Sequence, residues 1–167
     1  VRRPVRLDRG LWDRVLAQGD PALEMHIPAG GGMTPEACRD SVARAPAFFQ
    51  RHVPAHNPVA IATRSWIFNT QLVDILPADA NLVQFQRQVH LFPVPSSGRD
   101  GLRFIFQQDR FDPATAPRQT SLQRAILTFL ETHPAWRSGG MFILADDADR
   151  VGTEPYRHAW PPAGLGL

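Results

Sequence analysis

The feature that most constrains the fold is a strand, a glycine run and a helix in direct succession near the start of the chain. Apolar residues alternate with polar ones over residues 22–28, which predicts a strand that ends at Pro28. The glycine run consists of Gly30, Gly31 and Gly32. Thr34 is a good N-cap, Pro35 suits the first helical position, and apolar spacing predicts a helix to about residue 51. This unit predicts helices packed on the faces of a sheet.

The rest of the chain continues the alternation of strands and helices. The predicted elements are a short helix over 8–18, strands over 59–63 and 88–94, a short helix over 69–76, a helical turn from Asp79 through Phe85, a hairpin connection over 95–101, a return strand over 102–106, a loop over 109–118, a helix capped by Thr120 or Ser121 and ended by Pro134, and a last strand over 141–144. The predicted class is α+β or layered α/β, with a mixed sheet of four to six strands. We expect one domain over residues 1–145 and a loosely packed proline- and glycine-rich tail over residues 146–167.

The composition argues against several classes of function. The chain has 167 residues and a formal net charge of +2, and its 18 basic residues are all arginine, without any basic run. Binding to nucleic acid is therefore not favoured. No apolar run approaches the ~18 residues of a membrane span, and the single cysteine, Cys38, cannot form a disulfide within the chain. These features predict a cytoplasmic protein, and the absence of lysine is typical of a GC-rich bacterial coding sequence.

A series of short runs occurs in order between residues 20 and 145. They are Leu23-Glu24-Met25-His26-Ile27-Pro28-Ala29-Gly30-Gly31, Thr34-Pro35-Glu36-Ala37, Phe48-Phe49, Ser65-Trp66, Gln71-Leu72, Leu76-Pro77, Asn81-Leu82-Val83-Gln84-Phe85-Gln86-Arg87, Phe104-Ile105-Phe106, Thr120-Ser121-Leu122-Gln123-Arg124 and Trp136-Arg137-Ser138-Gly139-Gly140. Their content and order resemble the GNAT-like C-terminal domains of a bacterial acyltransferase family. The chain departs from that pattern at Phe68-Asn69-Thr70, where the family tends to have Leu-Asp-Pro, and at Ala80, where it tends to have Ser.

The resemblance implies a GNAT-like mixed sheet flanked by helices. It also implies transfer of an acyl group from acetyl-CoA, another acyl-CoA or a carrier-bound thioester to an amine of a small molecule or peptide. The alternative is a GNAT-derived module without catalysis that binds or assembles within a biosynthetic system. Family members carry another domain ahead of this one, so a separate partner chain of that N-terminal type is a candidate partner.

The glycine run is the predicted cofactor site. A helix N-terminus after glycines offers backbone N–H groups and a positive dipole end to an anion, which assigns Gly30, Gly31, Gly32 and Thr34 to the phosphates of CoA. GNAT enzymes usually use the pattern Arg/Gln-x-x-Gly-x-Gly/Ala for this purpose, and that pattern does not occur here. The alternative is a plain turn.

Glu24 and His26 are the candidate catalytic bases. Both are expected on one side of the first strand, near its carboxyl end. Acyl transfer to an amine requires a general base that deprotonates the attacking ammonium, and either side chain can act near neutral pH. The alternative is that both lie on a polar sheet face, or that His26 bonds the following loop.

Ser65, which follows a buried strand, is the third catalytic candidate, because its hydroxyl can donate to a carbonyl or thiolate. Trp66, Asn81 and Phe85 are the candidate substrate-binding residues. The alternatives are a core position for Trp66 and a turn-stabilising role for Asn81. Tyr156 is the only tyrosine, the residue type with which GNAT enzymes often reprotonate the CoA thiolate, but it lies in the predicted tail.

No metal site is predicted. His52 and His56 have the spacing of a helical zinc pair, but Pro54 between them breaks the helix. Cys38 falls within an apolar helical stripe, which favours a core role over a nucleophilic one.

Overall fold

The computed structural model describes residues 8–28, 30, 32–133 and 135–158. The strands are β1 (Ala22–Glu24), β2 (Ala60–Ser65), β3 (His90–Pro93) and β4 (Gly139–Leu144). The helices are α1 (Pro35–His52), α2 (Leu72–Ile75), α3 (Asn81–Gln86), α4 (Arg99–Phe106), α5 (Ser121–Thr132) and α6 (Pro155–His158), with 3-10 turns over Trp66–Phe68 and Ala145–Arg150. No helix in the described part of the chain is both long and apolar enough to cross a membrane.

The four strands of the described residues form one mixed sheet in the order β1-β2-β4-β3. β1 is parallel to β2, whereas β4 is antiparallel to both of its neighbours, β2 and β3. Helices flank this sheet, so the predicted α+β class with a mixed sheet is confirmed, at the lower end of the expected strand number. β1 and β3 are the two edge strands.

Two clusters of buried side chains hold the fold together. The first joins one face of the sheet to α1 and α3, and its buried members include Leu23, Val42, Ile61, Phe85 and Ile143. The second lies around α5 and is formed by Leu72, Phe106, Ala116, Ile126, Leu127, Phe129 and Trp136. Each fully buried large apolar side chain stabilises the fold by roughly 1.5–3 kcal/mol relative to an exposed one.

The two long helices begin where the sequence predicts. The Thr34 side chain accepts a hydrogen bond from Ala37 N at 3.3 Å, which caps α1 beside Pro35. At α5, Thr120 and Gln123 form a capping box, in which each side chain bonds the other residue's backbone N–H. These caps satisfy backbone donors that a helix N-terminus otherwise leaves unpaired.

The predicted hairpin connection and return strand are wrong, since residues 99–106 form α4. Leu102, Ile105 and Phe106 follow the helical spacing i, i+3, i+4 and pack on the second cluster. Phe104, which a strand would have placed beside Phe106, is 65% exposed. Gly98 precedes the helix with a φ of 72°, a conformation that favours glycine.

The predicted helix over residues 8–18 is also wrong. Asp8 Oδ1 accepts a hydrogen bond from Gly10 N at 2.8 Å and stabilises a turn instead. Leu11 and Val15, which belong to the apolar stripe of that helix, are 76% and 58% exposed. Without a surface to bury this stripe, a helix so short is marginal in water.

Two smaller differences concern helix α3 and the C-terminal stretch. The N-cap of α3 is Ala80 rather than Asp79. Residues 145–151 pack more tightly than the loose tail expected from residue 146, because Ala148 and Val151 are 3% and 2% exposed. Pro134, part of the N-terminal segment and residues 159–167 lie outside the described residues.

Candidate active site

The carboxyl ends of three strands lie at the same end of the sheet. Gly139, the first residue of β4, pairs with Ser65 at the end of β2 and with Pro93 at the end of β3. β1 ends beside β2 because the two strands are parallel. Ligands of open sheets with parallel strands commonly bind just outside the carboxyl ends of the strands.

At this end of the sheet β1 and β2 separate. The last link between them is the hydrogen bond from Met25 N to the carbonyl oxygen of Ala62 at 3.0 Å, whereas β2 continues to Ser65. In the described structure no backbone hydrogen bond joins residues 63–65 to residues 26–28. The opening is a groove of about 560 Å³, lined by residues 25–28 on one wall and 63–67 on the other. Its unpaired backbone groups can bind the amides of an extended ligand.

A second groove of about 490 Å³ adjoins the first. Glu24 and the loop over residues 94–98 line it, whereas His26 lines the first groove. Both grooves share Arg64, Ser65, Trp66 and Phe104. Strand β1 ends at Glu24, so His26 lies beyond the strand, but both candidate bases are exposed and both border the wall that carries Ser65.

Ser65 is positioned by the 3-10 turn that follows it. Its Oγ accepts a hydrogen bond from Ile67 N at 3.4 Å, so its side chain caps that turn. The hydroxyl hydrogen is not used in this bond, because the oxygen is the acceptor. The half-buried side chain can therefore donate a hydrogen bond into the grooves.

Trp66 serves both the core and the grooves. It is half-buried, packs against the first core cluster and lines both grooves. Gly101 of α4 lies directly against it, and a Cβ at position 101 would stand 2.6 Å from Trp66 Cβ. The core role foreseen as the alternative and the predicted pocket role are thus compatible.

The glycine run adopts backbone conformations that favour glycine. Gly30 has a φ of 92° and Gly32 a φ of 59°. Gly31 lies outside the described residues. The run leads to the N-terminus of α1, an 18-residue helix whose dipole favours negative charge at that end. A role in phosphate binding stays a prediction.

Asn81 and Phe85 line neither groove. Asn81 is the exposed first residue of α3. Phe85 is 4% exposed, and its ring centroid lies 6.1 Å from that of Phe68 in the core. Their assignment to substrate binding stays a prediction.

Tyr156 lies at the opposite end of the sheet from Ser65. Its hydroxyl accepts a hydrogen bond from Leu144 N at 3.1 Å, and Leu144 pairs with Ala60 at the start of β2. Five residues of strand separate Ala60 from Ser65, which is roughly 17 Å. Burial raises the pKa of Tyr156 to about 12. It is therefore outside the reach of a reaction at Ser65.

The remaining candidates have structural surroundings. Cys38 packs against the first core cluster, and burial raises the pKa of its thiol. His56 Nε2 lies 3.2 Å from the carbonyl oxygen of Ala22. In the described residues no group of three or more His, Cys, Asp or Glu side chains could hold a metal ion.

Sequence reasoning missed two residues of this site. Arg64 directly precedes Ser65, is exposed and lines both grooves, and among the described side chains neither it nor Glu24 forms a salt bridge. Its position next to the Ser-Trp pair could have indicated it. The sequence pattern predicts Phe104 in a strand, and only helix α4 brings it into the site.

The comparisons with known proteins agree with this architecture. Residues 4–142 match the model of the GNAT-like C-terminal domain family. This match spans most of the chain, so the chain belongs to that family. No curated protein matches it.

Solved structures of acyltransferases share the fold. An acyltransferase in complex with decanoyl-CoA is 32% identical, with a TM-score of 0.69, over 78% of this chain and 42% of that chain. An acyltransferase in complex with CoA and 10C-Teicoplanin is 31% identical, with a TM-score of 0.68, over 76% and 42%. A mutant acyltransferase in complex with octanoyl-CoA is 29% identical, with a TM-score of 0.69, over 78% and 43%. The chain thus spans less than half the length of these proteins.

Proposed function

We propose that the chain is the GNAT domain of an acyl-CoA-dependent N-acyltransferase. The observation that carries this proposal is its likeness in fold and sequence to acyltransferases whose crystal structures hold CoA or acyl-CoA. The grooves at the carboxyl ends of the strands supply a place for the reaction. Acyl-CoA is an intracellular metabolite, which agrees with the proposed cytoplasmic location.

The donor would lie in the opening between β1 and β2. The pantetheine arm of CoA is extended and carries two amides, which suit the unpaired backbone of residues 63–65 and 26–28. Its pyrophosphate would then reach the glycine run, where Gly30, Gly31, Gly32 and Thr34 precede α1. This arrangement brings the thioester to Ser65.

The side chains around the grooves would divide the chemistry between them. The amine nitrogen attacks the thioester carbonyl, the new C–N bond forms, the C–S bond breaks and CoA leaves as a thiolate. His26 or Glu24 accepts the proton that the amine releases. Ser65 donates a hydrogen bond to the carbonyl oxygen or the departing sulfur. Of the three predicted substrate contacts, Trp66 lines both grooves and is proposed to contact the substrate there, whereas Asn81 and Phe85 line neither groove.

The proposed acceptor is an amine on a small molecule or peptide. Two of the similar acyltransferases are in complex with teicoplanin or 10C-Teicoplanin, which supports a small-molecule acceptor. Because this chain matches only 42–43% of their length, we also propose that a further lobe, on a separate partner chain or on the same one, completes the acceptor site.

Calorimetric titration with CoA and octanoyl-CoA, followed by turnover assays, tests the proposal. His26→Ala and Glu24→Ala should leave CoA affinity nearly intact, and loss of the base should lower turnover about a hundredfold. His52→Ala, at an exposed position at the end of α1, is the matched control and should behave as wild type. Absence of binding at concentrations on the order of 1 mM would remove the CoA-dependent function. Unchanged turnover in both variants would remove them as bases.

A non-catalytic binding or assembly module is the second candidate. The missing Arg/Gln-x-x-Gly-x-Gly/Ala pattern favours it, because that loop is the usual CoA phosphate site of GNAT enzymes. Absence of CoA binding, or binding without turnover on any tested amine, would support this candidate over the enzyme.

A further inference from the structure

Strand β3 has a free edge. It is the last strand of the sheet and bonds to β4 on one side only. Among the described residues no backbone hydrogen bond joins residues 90–93 to any other element. Such an edge presents unpaired N–H and C=O groups that can pair with an additional strand, except that Pro93 has no N–H.

A trough runs along this edge. Two adjoining hollows of about 510 and 1000 Å³ form it, and they share Thr70 and Leu91. Six consecutive residues, 89–94, line one wall, and residues from the segment 68–78 line the other. The apolar side chains that line it include Val73, Leu76, Val83, Val89, Leu91 and Phe92. The trough therefore offers both backbone and apolar contacts to an extended chain.

The charged groups of the trough have one sign. Arg137 lines the smaller hollow, and Arg87 and Arg157 line the larger one. No Asp or Glu is among the described residues that line either hollow, although Arg157 also pairs with Glu154 nearby, with Nε 3.2 Å from Oε2. An occupant with acidic groups would complement this charge.

Gln86 lines the larger hollow and carries a buried acceptor without a partner among the described residues. This residue is 4% exposed, and its Nε2 donates to the carbonyl oxygens of Ile67 at 2.7 Å and Asn69 at 3.0 Å. These two bonds fix which way the amide faces, because a flipped amide would turn its oxygen toward both carbonyls. Its Oε1 is buried without a partner among the described residues. An unpaired buried acceptor is unusual in a folded protein, and it adds to the polar character of this wall.

We propose that the acceptor is a peptide chain with apolar and acidic side chains, which binds in the trough as a fifth strand on β3. This proposal rests on the proposed function. The smaller hollow shares Val94, Ser96, Ser97 and Ser138 with the groove that contains Ser65, so the two sites are continuous. β3 runs toward the end of the sheet that carries Ser65, and the reacting amine must lie at that end. A peptide with a reacting N-terminal amine therefore lies antiparallel to β3.

A synthetic probe tests the added strand. The probe is a seven-residue peptide with an N-terminal glycine amine, followed by alternating valine and glutamate, and a fluorophore at its C-terminus. We expect fluorescence anisotropy to show saturable binding to the intact chain, and NMR hydrogen exchange to show new protection of β3 amides. N-methylation of alternate peptide nitrogens should weaken binding at least about tenfold, because it removes the donors that pair with β3.

A pair of valine variants separates the trough from nonspecific binding. Val73→Glu places a charge on the exposed lip of the trough and should weaken binding at least about tenfold. Val15→Glu, at a comparably exposed valine outside the trough, should bind as wild type. Equal binding of the N-methylated probe, unchanged binding by Val73→Glu, or no binding of the probe would overturn the proposal. A CoA titration of the same sample distinguishes failure of the peptide site from failure of the proposed function. CoA binding without peptide binding would reject the peptide site and leave the proposed function standing.

Discussion

At the scale of single residues, three side chains from two parts of the chain lie close to one another. Glu24 ends β1, His26 lies just beyond it, and Ser65 ends β2, about forty residues later. The grooves on either side of Ser65 each hold one candidate base. A strand pairing of only three residues, after which the two strands part, is what opens the space between them.

His90 predicts how stability depends on pH. Its ring is packed between Phe142 and Tyr156, with ring centroids at 4.6 and 3.6 Å. Burial lowers the pKa of His90, and the nearby Asp147 only partly opposes this effect. In the unfolded chain a histidine titrates at about pH 6.5, so below that pH the unfolded state binds more protons than the folded state. Stability should therefore fall as pH drops below about 6.5.

Urea denaturation of His90→Gln checks this prediction. The variant should lose less free energy of unfolding than wild type between about pH 7 and pH 5, because it has no half-buried imidazole to protonate. His52→Gln, which alters an exposed histidine, should keep the wild-type slope. If His90→Gln and wild type lose the same free energy of unfolding, the imidazole of His90 is not the cause.

At the scale of elements, α4 shapes the site by packing against Trp66. Gly101 permits the close approach, since a Cβ there would lie 2.6 Å from Trp66 Cβ. Gly101→Ala should therefore shift α4 or Trp66, lower the free energy of unfolding by about 1–3 kcal/mol and weaken octanoyl-CoA binding. Thermal denaturation and calorimetry measure the two effects.

Gly10→Ala is the matched control for this change. A Cβ at position 10 would meet only Asp8 Oδ1 at 3.4 Å, an ordinary contact. This variant should bind octanoyl-CoA as wild type does. Wild-type stability in Gly101→Ala would show that α4 can adjust without cost and does not set the position of Trp66.

Local patterns were reliable for some elements and misleading for others. α1 and α5 were predicted correctly because each combines a capping residue with an apolar stripe that has a core to bury it. The stripe of residues 8–18 has no such partner, and no helix forms there. Residues 102–106 satisfy a strand pattern and a helix pattern equally well, and packing on the second cluster favoured the helix.

At the scale of the whole molecule, ligand binding should stabilise the fold. A ligand that binds only the folded state at about 100 times its Kd adds about 2.7 kcal/mol, which corresponds to a rise in Tm of roughly 5–11 °C for a chain of this size. We expect CoA to produce a shift of this order in differential scanning fluorimetry.

Pantetheine, which lacks both the phosphates and the adenosine of CoA, tests whether that part of the ligand, including its phosphates at the glycine run, contributes to binding. At the same concentration it should shift Tm less than CoA, because it leaves the N-terminus of α1 without an anion. Equal shifts for the two ligands would argue that the phosphates do not contact the protein.

The family, the α+β class and the two long helices could be read from the chain alone, because caps, apolar periodicity and ordered short motifs depend on residues close in sequence. Tertiary contacts decided the strand order, the separation of β1 from β2, the free edge of β3 and the position of Phe104 in the site. These features arise from pairing and packing between segments tens of residues apart, and such contacts leave no periodic signal within either segment. The sequence alone thus indicated Glu24, His26 and Ser65 as candidates, whereas only the tertiary structure showed that they lie together at one end of the sheet.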